Sequence, residues 1–183
     1  MLRLCLPMVL AATLASGAEP DATLRSRVEG LLGSYRTVRT EQWQALGPDA
    51  APILASVVTD STRLPTFRAR ALAALGVVDA ALAAPHIRRL LGDASAPAAL
   101  RSAAVGAAPG VLGEQAALPL LRPLLVGDDP TLTTVTARSL ARAGAAGCAA
   151  VTAEARRRPD REAVARSSAA CEARFRAGPK PAR

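Results

Sequence analysis

The sequence feature that most constrains the fold is a pattern of prolines and acids that recurs about every 33 residues. It aligns three segments, 51–76, 84–110 and 118–144. The early prolines are 33 and 34 residues apart and the mid-segment prolines 32 and 33 apart: Pro52, Pro85 and Pro119, then Pro65, Pro97 and Pro130. Such a period indicates stacked units, each of which buries its apolar surface against the next.

Each unit is predicted to contain two helices. In the first unit, apolar residues keep the i, i+3, i+4 spacing of a buried stripe in both halves: Ile53, Leu54, Val57 and Val58, then Phe67, Ala71, Leu72 and Leu75. Asp49 is the expected N-cap of the first helix, Pro52 lies in its first turn, and Gly76 is the expected end of the second. Because alanine and leucine dominate the apolar residues, the sequence predicts an all-α fold. One helix pair cannot bury both stripes by itself, so the units are expected to stack into an α-solenoid of antiparallel helix pairs.

The repeating order of residue types resembles HEAT repeats. Each unit reads proline, two aliphatics, two more aliphatics, an aspartate, a proline, an aliphatic-arginine pair and an alanine-leucine run, most similar to the short HEAT-like type also found in phycobilisome bilin lyases. The resemblance covers Ala45–Gly144, with degenerate opening and closing units at Leu24–Trp43 and Val151–Phe175. It implies that residues 19–176 form a right-handed α-solenoid of about three clear repeats plus the degenerate end units. It implies a structural hydrogen-bonded ladder between neighbouring repeats, made by Asp60, Arg68, Asp93, Arg101 and Asp128. Thr133 replaces the third arginine, which weakens the ladder there.

The adjacent acids Asp128 and Asp129 could belong to a metal or catalytic site, or to a joint between helices. Asp129-Pro130 suits a helix start, with the acid as cap and proline in the first turn. A metal site needs further oxygen ligands at defined spacing, which this loop does not supply. His86, beside Pro85, is predicted to be a structural first-turn residue. We therefore expect no catalytic residues, no metal site and no cofactor.

Residues 1–18 are predicted to be a signal peptide. Arg3 supplies the positive start, residues 6–14 the apolar run, and Ser16-Gly17-Ala18 a small-residue cleavage site. The alternative is a buried first helix, since the run is too short to span a bilayer. We expect cleavage after Ala18, a periplasmic or secreted product without a membrane span, and a disordered tail at 177–183.

Export changes the interpretation of the cysteines. Once Cys5 is removed with the signal peptide, Cys148 and Cys171 remain, and two cysteines in an oxidising compartment usually pair. A helix pair turning at 158–160, with Pro159 ending one helix and Asp160 capping the next, would place them opposite each other. The alternative, a Cys148 nucleophile served by His86, lacks a third orienting group. The sequence therefore predicts a Cys148–Cys171 disulfide.

The charge offers one indication of partners. The formal net charge is +8, and residues 154–183 hold nine basic and four acidic side chains. Export and the shortage of aromatics disfavour nucleic acid, which leaves an acidic protein or an anionic envelope polymer, unless the excess is only a solvated helix end. Second helices line the concave side of such solenoids, so the candidate partner-binding residues are Arg70, Arg138 and Arg142. Trp43 is expected to pack between the opening unit and the first full repeat.

The function predicted from the sequence is that of an exported HEAT-repeat scaffold for protein–protein interaction, without catalysis. The alternatives are a structural component of the envelope, a binder of an anionic envelope polymer, and a bilin-lyase-like enzyme. The repeats themselves carry no chemistry that would favour the enzyme.

Overall fold

A computed structural model describes residues 20–176, and this part of the chain is all-helical. It contains ten α-helices: α1 (Pro20–Leu32), α2 (Thr40–Gln44), α3 (Ala50–Thr59), α4 (Pro65–Val78), α5 (Ala80–Gly92), α6 (Ala98–Leu112), α7 (Glu114–Val126), α8 (Pro130–Ala143), α9 (Ala145–Arg157) and α10 (Glu162–Arg176). The predicted signal peptide and C-terminal tail lie outside the described residues. Among the ten helices, none is long and apolar enough to cross a bilayer.

The helices pack in the order in which they follow along the chain. From α3 onward, each helix packs against the next helix and against the one after it. The even-numbered helices α4, α6, α8 and α10 therefore contact one another in series, and the odd-numbered helices α3, α5, α7 and α9 do the same. The hydrophobic core follows this series from Val28 to Val164.

The mid-segment prolines mark helix starts as predicted. Pro65 and Pro130 are the first residues of α4 and α8, and Pro97 directly precedes α6. The Asp129 carboxylate accepts hydrogen bonds from the backbone N–H groups of Thr131 and Leu132, at 2.9 and 3.0 Å. Proline has no N–H, and a residue in the first turn has no partner for its N–H within the helix. The Asp129 cap and Pro130 therefore both favour this helix start. The acid pair is part of a joint between helices.

The early prolines of the second and third units do not open helices, contrary to the prediction. Pro85 and Pro119 lie inside α5 and α7. The helices begin earlier because Asp79 caps α5, accepting from the Leu82 N–H at 2.9 Å, and because Gly113, at φ +80°, separates α6 from α7. His86 therefore lies in the middle of α5 and not in a first turn.

The predicted helix boundaries of the first unit are met only in part. Asp49 occupies the N-cap position of α3, as predicted, but its side chain makes no capping hydrogen bond. Gly76 does not end α4, which continues to Val78, because Asp79 forms the boundary. Trp43 is buried in the core, 8 % exposed, on the short helix α2 that packs against α4.

Candidate functional site: a basic groove between α8 and α10

A groove between α8 and α10 gathers three arginines. Arg138 and Arg142 lie one turn apart on α8, and Arg166 lies on α10. Together with small neighbours these residues enclose about 310 Å³; the other lining residues are Thr134, Ala141, Ala163, Ser167 and Ala170. We call this set of residues the basic groove.

Helical spacing explains why the arginines face the groove. The opposite side of α8 is buried in the core: Leu132, Thr133, Thr136, Ala137, Ser139 and Leu140. Ser139 also donates a hydrogen bond to the Val105 carbonyl of α6 at 2.8 Å, which fixes the rotation of α8. With that side held against α6, Arg138 and Arg142 are left exposed.

The basic groove keeps an excess of positive charge. Within residues 20–176, the side chains of Arg138 and Arg142 form no salt bridge and no hydrogen bond, whereas Arg166 pairs with Glu162 on its own helix. Arg174 lies close by and donates to the Ala141 carbonyl at 3.0 Å. The lining of the basic groove thus holds three guanidinium groups and no carboxylate, and of the three only Arg166 is paired.

The groove continues toward α6. Arg142 also lines a neighbouring cavity of about 300 Å³ with residues of α6 and α8: Gly106, Pro109, Gly110, Ser139 and Ala143. Glycine and alanine floors allow a partner's backbone to come close, and guanidinium groups bind carboxylates through paired hydrogen bonds. The arrangement can therefore hold an extended segment that carries carboxylates. Residues 20–176 contain no group of three or more His, Cys, Asp or Glu side chains placed to share a metal ion.

The third predicted partner-binding residue, Arg70, lies elsewhere. It is on α4, which packs against neither α8 nor α10 among the described helices. Its guanidinium donates to the carbonyls of Leu32 and Ser34, at 3.0 and 3.1 Å, and so closes the C-terminal end of α1. The structure therefore brings Arg138 and Arg142 together, whereas Arg70 is apart from them and lines another cavity, of about 400 Å³.

The predicted ladder aspartates bond within their own turns. Asp60 accepts from the Thr62 N–H and hydroxyl, at 2.9 and 2.6 Å, and Asp93 accepts in the same way from Ser95, at 2.9 and 2.6 Å. These hydrogen bonds, from the hydroxyl first and the N–H second, hold the pKa of each carboxyl below its ordinary value. In the part of the chain that the structure describes, neither aspartate bonds to Arg68 or to Arg101.

The predicted ladder arginines also act locally. Arg68 donates from Nε to the Val58 carbonyl of its own unit at 3.0 Å, and Thr133, in the third unit, donates to the Leu124 and Gly127 carbonyls at 3.3 and 3.1 Å. The Nε of Arg101 is buried without a partner among the described residues. Asp128 is exposed and pairs at 3.2 Å with Arg161, which sequence reasoning did not single out. The expected ladder is absent at Asp60 and Asp93, which bond within their own turns, whereas Asp128 bonds to the following unit through Arg161.

Other side chains connect neighbouring units. Arg161 donates to the carbonyls of Leu125, Val126 and Gly127 at 3.2, 3.1 and 2.8 Å, which closes the end of α7. Further bonds of the same kind join Arg63 to Glu29 at 2.8 Å and the Gly147 N–H to Glu114 at 2.8 Å. The partners of these bonds are 33 to 36 residues apart, which is about one repeat. That separation is the signal that could have found them in the sequence.

Two glycines leave room, one for the Glu114 carboxylate and the other for the close approach of α8 to α9. A Cβ atom on Gly144 would collide with the Glu114 carboxylate, and one on Gly147 would collide with the Leu140 carbonyl. The carboxylate then accepts from the N–H of Gly147 in the first turn of α9, where the helix dipole favours a negative charge.

The predicted disulfide is confirmed. Cys148 on α9 and Cys171 on α10 are bonded, with their Cα atoms 5.6 Å apart, and both are buried. The turn between the helices differs in detail, since α10 begins at Glu162 and Asp160 pairs with Arg158 at 3.4 Å instead of capping α10. A buried disulfide fits a protein of an oxidising compartment.

Comparisons of the chain with protein-family models, with curated proteins and with solved structures found no match.

Proposed function

We propose that the chain is an exported, HEAT-like scaffold that binds an acidic segment of a partner protein in the basic groove and performs no catalysis. The observation that carries the proposal is the pair Arg138 and Arg142, exposed one turn apart in a groove and free of internal partners among the described residues. Buried helix faces already account for most other side chains of α8, so these two arginines have no evident role in folding.

A right-handed solenoid of antiparallel helix pairs is the proposed architecture. It is supported by the packing order, in which each helix contacts its near neighbours along the chain. It is also supported by the bonds between units, whose partners are about one repeat apart. Solenoids of this kind expose an extended inner surface suited to binding a segment of another chain.

The proposed export rests on two features. The sequence has an apolar run followed by the small residues Ser16-Gly17-Ala18. The disulfide between Cys148 and Cys171 is of the kind that persists outside reducing compartments. Sequencing the N-terminus of the native protein tests this part: we expect Glu19 as the first residue, and an intact Met1 in the mature pool would contradict export.

Carboxylates are the chemistry that the basic groove favours. Each free guanidinium can take a carboxylate through two parallel hydrogen bonds, and the excess positive charge steers an acidic segment toward the groove. Both effects are electrostatic at an exposed site, so added salt should weaken them over a screening length of about 10 Å at 0.1 M.

The direct test uses a glutamate-rich peptide as the probe. We expect Arg138→Glu with Arg142→Glu to weaken its binding by about tenfold or more, because two attractive contacts become repulsive. The matched control is Arg25→Glu with Arg27→Glu, which makes the same change of net charge on the exposed side of α1. Equal losses in both double variants would show that only net charge matters and would contradict a site in the groove.

A second probe separates protein from polymer as the partner. Polygalacturonate carries carboxylates on a sugar chain and not on a peptide backbone. We expect this polymer to bind more weakly than the peptide at equal charge. If the polymer binds more tightly and loses its binding in the variant Arg138→Glu with Arg142→Glu, the partner would be an anionic polymer and not an acidic protein.

A further inference from the structure

We infer that a second cavity, between α7 and α9, binds a small zwitterion with the chemistry of a free α-amino acid. The cavity encloses about 250 Å³. Arg122 and Leu125 line it from α7, and Ala150, Ala153, Glu154 and Arg157 from α9. It shares no residue with the basic groove and does not depend on the function proposed above.

Glu154 is the residue that indicates a ligand in this cavity. Its side chain is only 5 % exposed, and its Oε1 is buried with no hydrogen-bond donor among residues 20–176. Its Oε2 lies 3.6 Å from the Nε of Arg157, whose own side chain is 65 % exposed. A carboxylate that is buried beside a cavity with too few donors is unfavourable, so an ammonium group placed in the cavity would gain a charge-assisted hydrogen bond to this side chain.

The position of Glu154 in its helix is a second unfavourable feature. It lies in the last turn of α9, where the helix dipole favours positive charge. Neither burial nor helix position therefore explains a carboxylate here. Glutamine would fill the same space without a buried charge and without the unfavourable interaction with the helix dipole, which makes a role for the negative charge the simpler explanation.

The two arginines of the cavity decide which donor fits. A ligand that carries only positive charge would meet two guanidinium groups and one carboxylate, and so would be repelled overall. A ligand with both an ammonium and a carboxylate group can place the ammonium on Glu154 and the carboxylate on Arg122 or Arg157. Because Ala150 and Ala153 are small and the volume is below that of a drug-sized site, an amino acid with a small side chain fits best.

The test follows the amide signals of Ala150 and Ala153 by NMR while L-alanine is added to the protein. We expect saturable shifts with L-alanine, and none at the same concentrations with N-acetyl-L-alanine, which lacks the ammonium, or with ethylamine, which lacks the carboxylate. Binding of ethylamine as tight as that of L-alanine would make the cavity a simple acceptor of cations and would overturn the zwitterion.

Variants then assign the two ends of the ligand. Glu154→Gln should weaken L-alanine binding by about tenfold or more, as expected for the loss of a charge-assisted hydrogen bond. Arg122→Gln, at an exposed position, should weaken it as well without affecting the fold. Arg156→Gln is the matched control on the exposed side of α9 and should bind normally.

A measurement without ligand keeps the inference open to contradiction even if binding is weak. If Glu154 serves a ligand and not the fold, Glu154→Gln should have a melting temperature equal to or above that of the parent protein. A marked decrease, or unchanged L-alanine binding in both Glu154→Gln and Arg122→Gln, would overturn the proposed site.

Discussion

The two ends of the helix series are closed by different means. At the N-terminal end, α1 and the five-residue α2 pack on α3 and α4, and the largest buried side chain is Trp43. At the C-terminal end, α9 and α10 are joined by the Cys148–Cys171 disulfide. In a solenoid, an end unit lacks a neighbour on one side and is the first to fray. One end therefore relies on burial of an aromatic ring, and the other on a covalent bond.

The polar contacts at the C-terminal end are also better shielded from solvent than those at the N-terminal end. At the N-terminal end, the ion pair between Arg63 and Glu29 is exposed, 41 % and 40 %, and Arg70 donates to two carbonyls. At the C-terminal end, Arg161 donates to three carbonyls and its side chain is only 14 % exposed. Exposed ion pairs contribute little to stability, whereas shielded charge-assisted hydrogen bonds contribute more. The C-terminal end should therefore be the more rigid one.

The largest effect is expected from removing the ring at the N-terminal end. Trp43→Ala should lower the free energy of unfolding by about 4 kcal/mol, because it leaves a cavity between α2 and α4. Denaturant unfolding measures the loss, and hydrogen exchange should show that α1 and α2 lose protection first. Tyr35→Ala, at a fully exposed ring, is the control and should change little. A loss below about 1 kcal/mol for Trp43→Ala would mean that the ring does not hold this end.

Removal of the covalent bond at the C-terminal end should have the next largest effect. Replacing both Cys148 and Cys171 by serine should cost about 3 kcal/mol, because the chain between them is no longer constrained when unfolded. Reducing the parent protein should produce a similar loss, which controls for the serines themselves. Intact mass with and without reductant should differ by two hydrogens, and two thiols open to alkylation in the unreduced native protein would contradict the bond.

A matched pair of arginine variants compares the ends directly. Arg161→Gln should destabilise the protein by about 2 kcal/mol, because three carbonyls at the end of α7 lose a shielded charged donor. Arg70→Gln removes the equivalent contact at the end of α1, but that arginine is exposed, so we expect a loss below about 1 kcal/mol. Equal losses from denaturant unfolding would remove the proposed difference in rigidity between the two ends.

Much of the helical framework follows from local sequence, and the disulfide from the context of the cysteines. Pro65, Pro97 and Pro130 mark the starts of second helices because a helix start is the position that proline favours most. The starts of α5 and α7 do not follow from this rule, because Pro85 and Pro119 lie inside their helices and not in a first turn like Pro52. The signals that decide those starts were a capping aspartate, Asp79, and a glycine with positive φ.

The candidate sites were less accessible to sequence reasoning. Arg138 and Arg142 could be assigned to one face of a helix by spacing alone, but Arg166 joins them only through the packing of α8 on α10. Arg70 carries the same sequence signal as Arg138, yet it donates to a carbonyl 38 residues away, a contact that helical spacing does not reveal. Glu154 showed no signal at all, since the burial of a carboxylate depends on neighbours distant in sequence.

The smallest expected effect on stability is a dependence on pH at the turns of the N-terminal half. The hydroxyl of Thr62, then its N–H, lowers the Asp60 pKa from its ordinary value of 3.8. The stabilisation from this carboxylate is therefore present above pH 3.8 and is lost as the pH falls through the lowered pKa. The disulfide at the other end does not titrate and makes no such contribution.

Thr62→Ala removes the hydroxyl and leaves the backbone N–H in place. We expect the Asp60 pKa to rise toward 3.8, because the largest cause of its lowering is lost, while the pKa of Asp93 stays where it is. Ser95→Ala is the matched variant at the next turn. It should raise the pKa of Asp93 and leave that of Asp60 unchanged, because the Ser95 hydroxyl is the largest cause of the lowered Asp93 pKa. Carboxyl carbon NMR during an acid titration reads both groups at once. If each variant moved both pKa values together, the two turns would be coupled through α4 and α5, and the local hydrogen bonds would not be the cause.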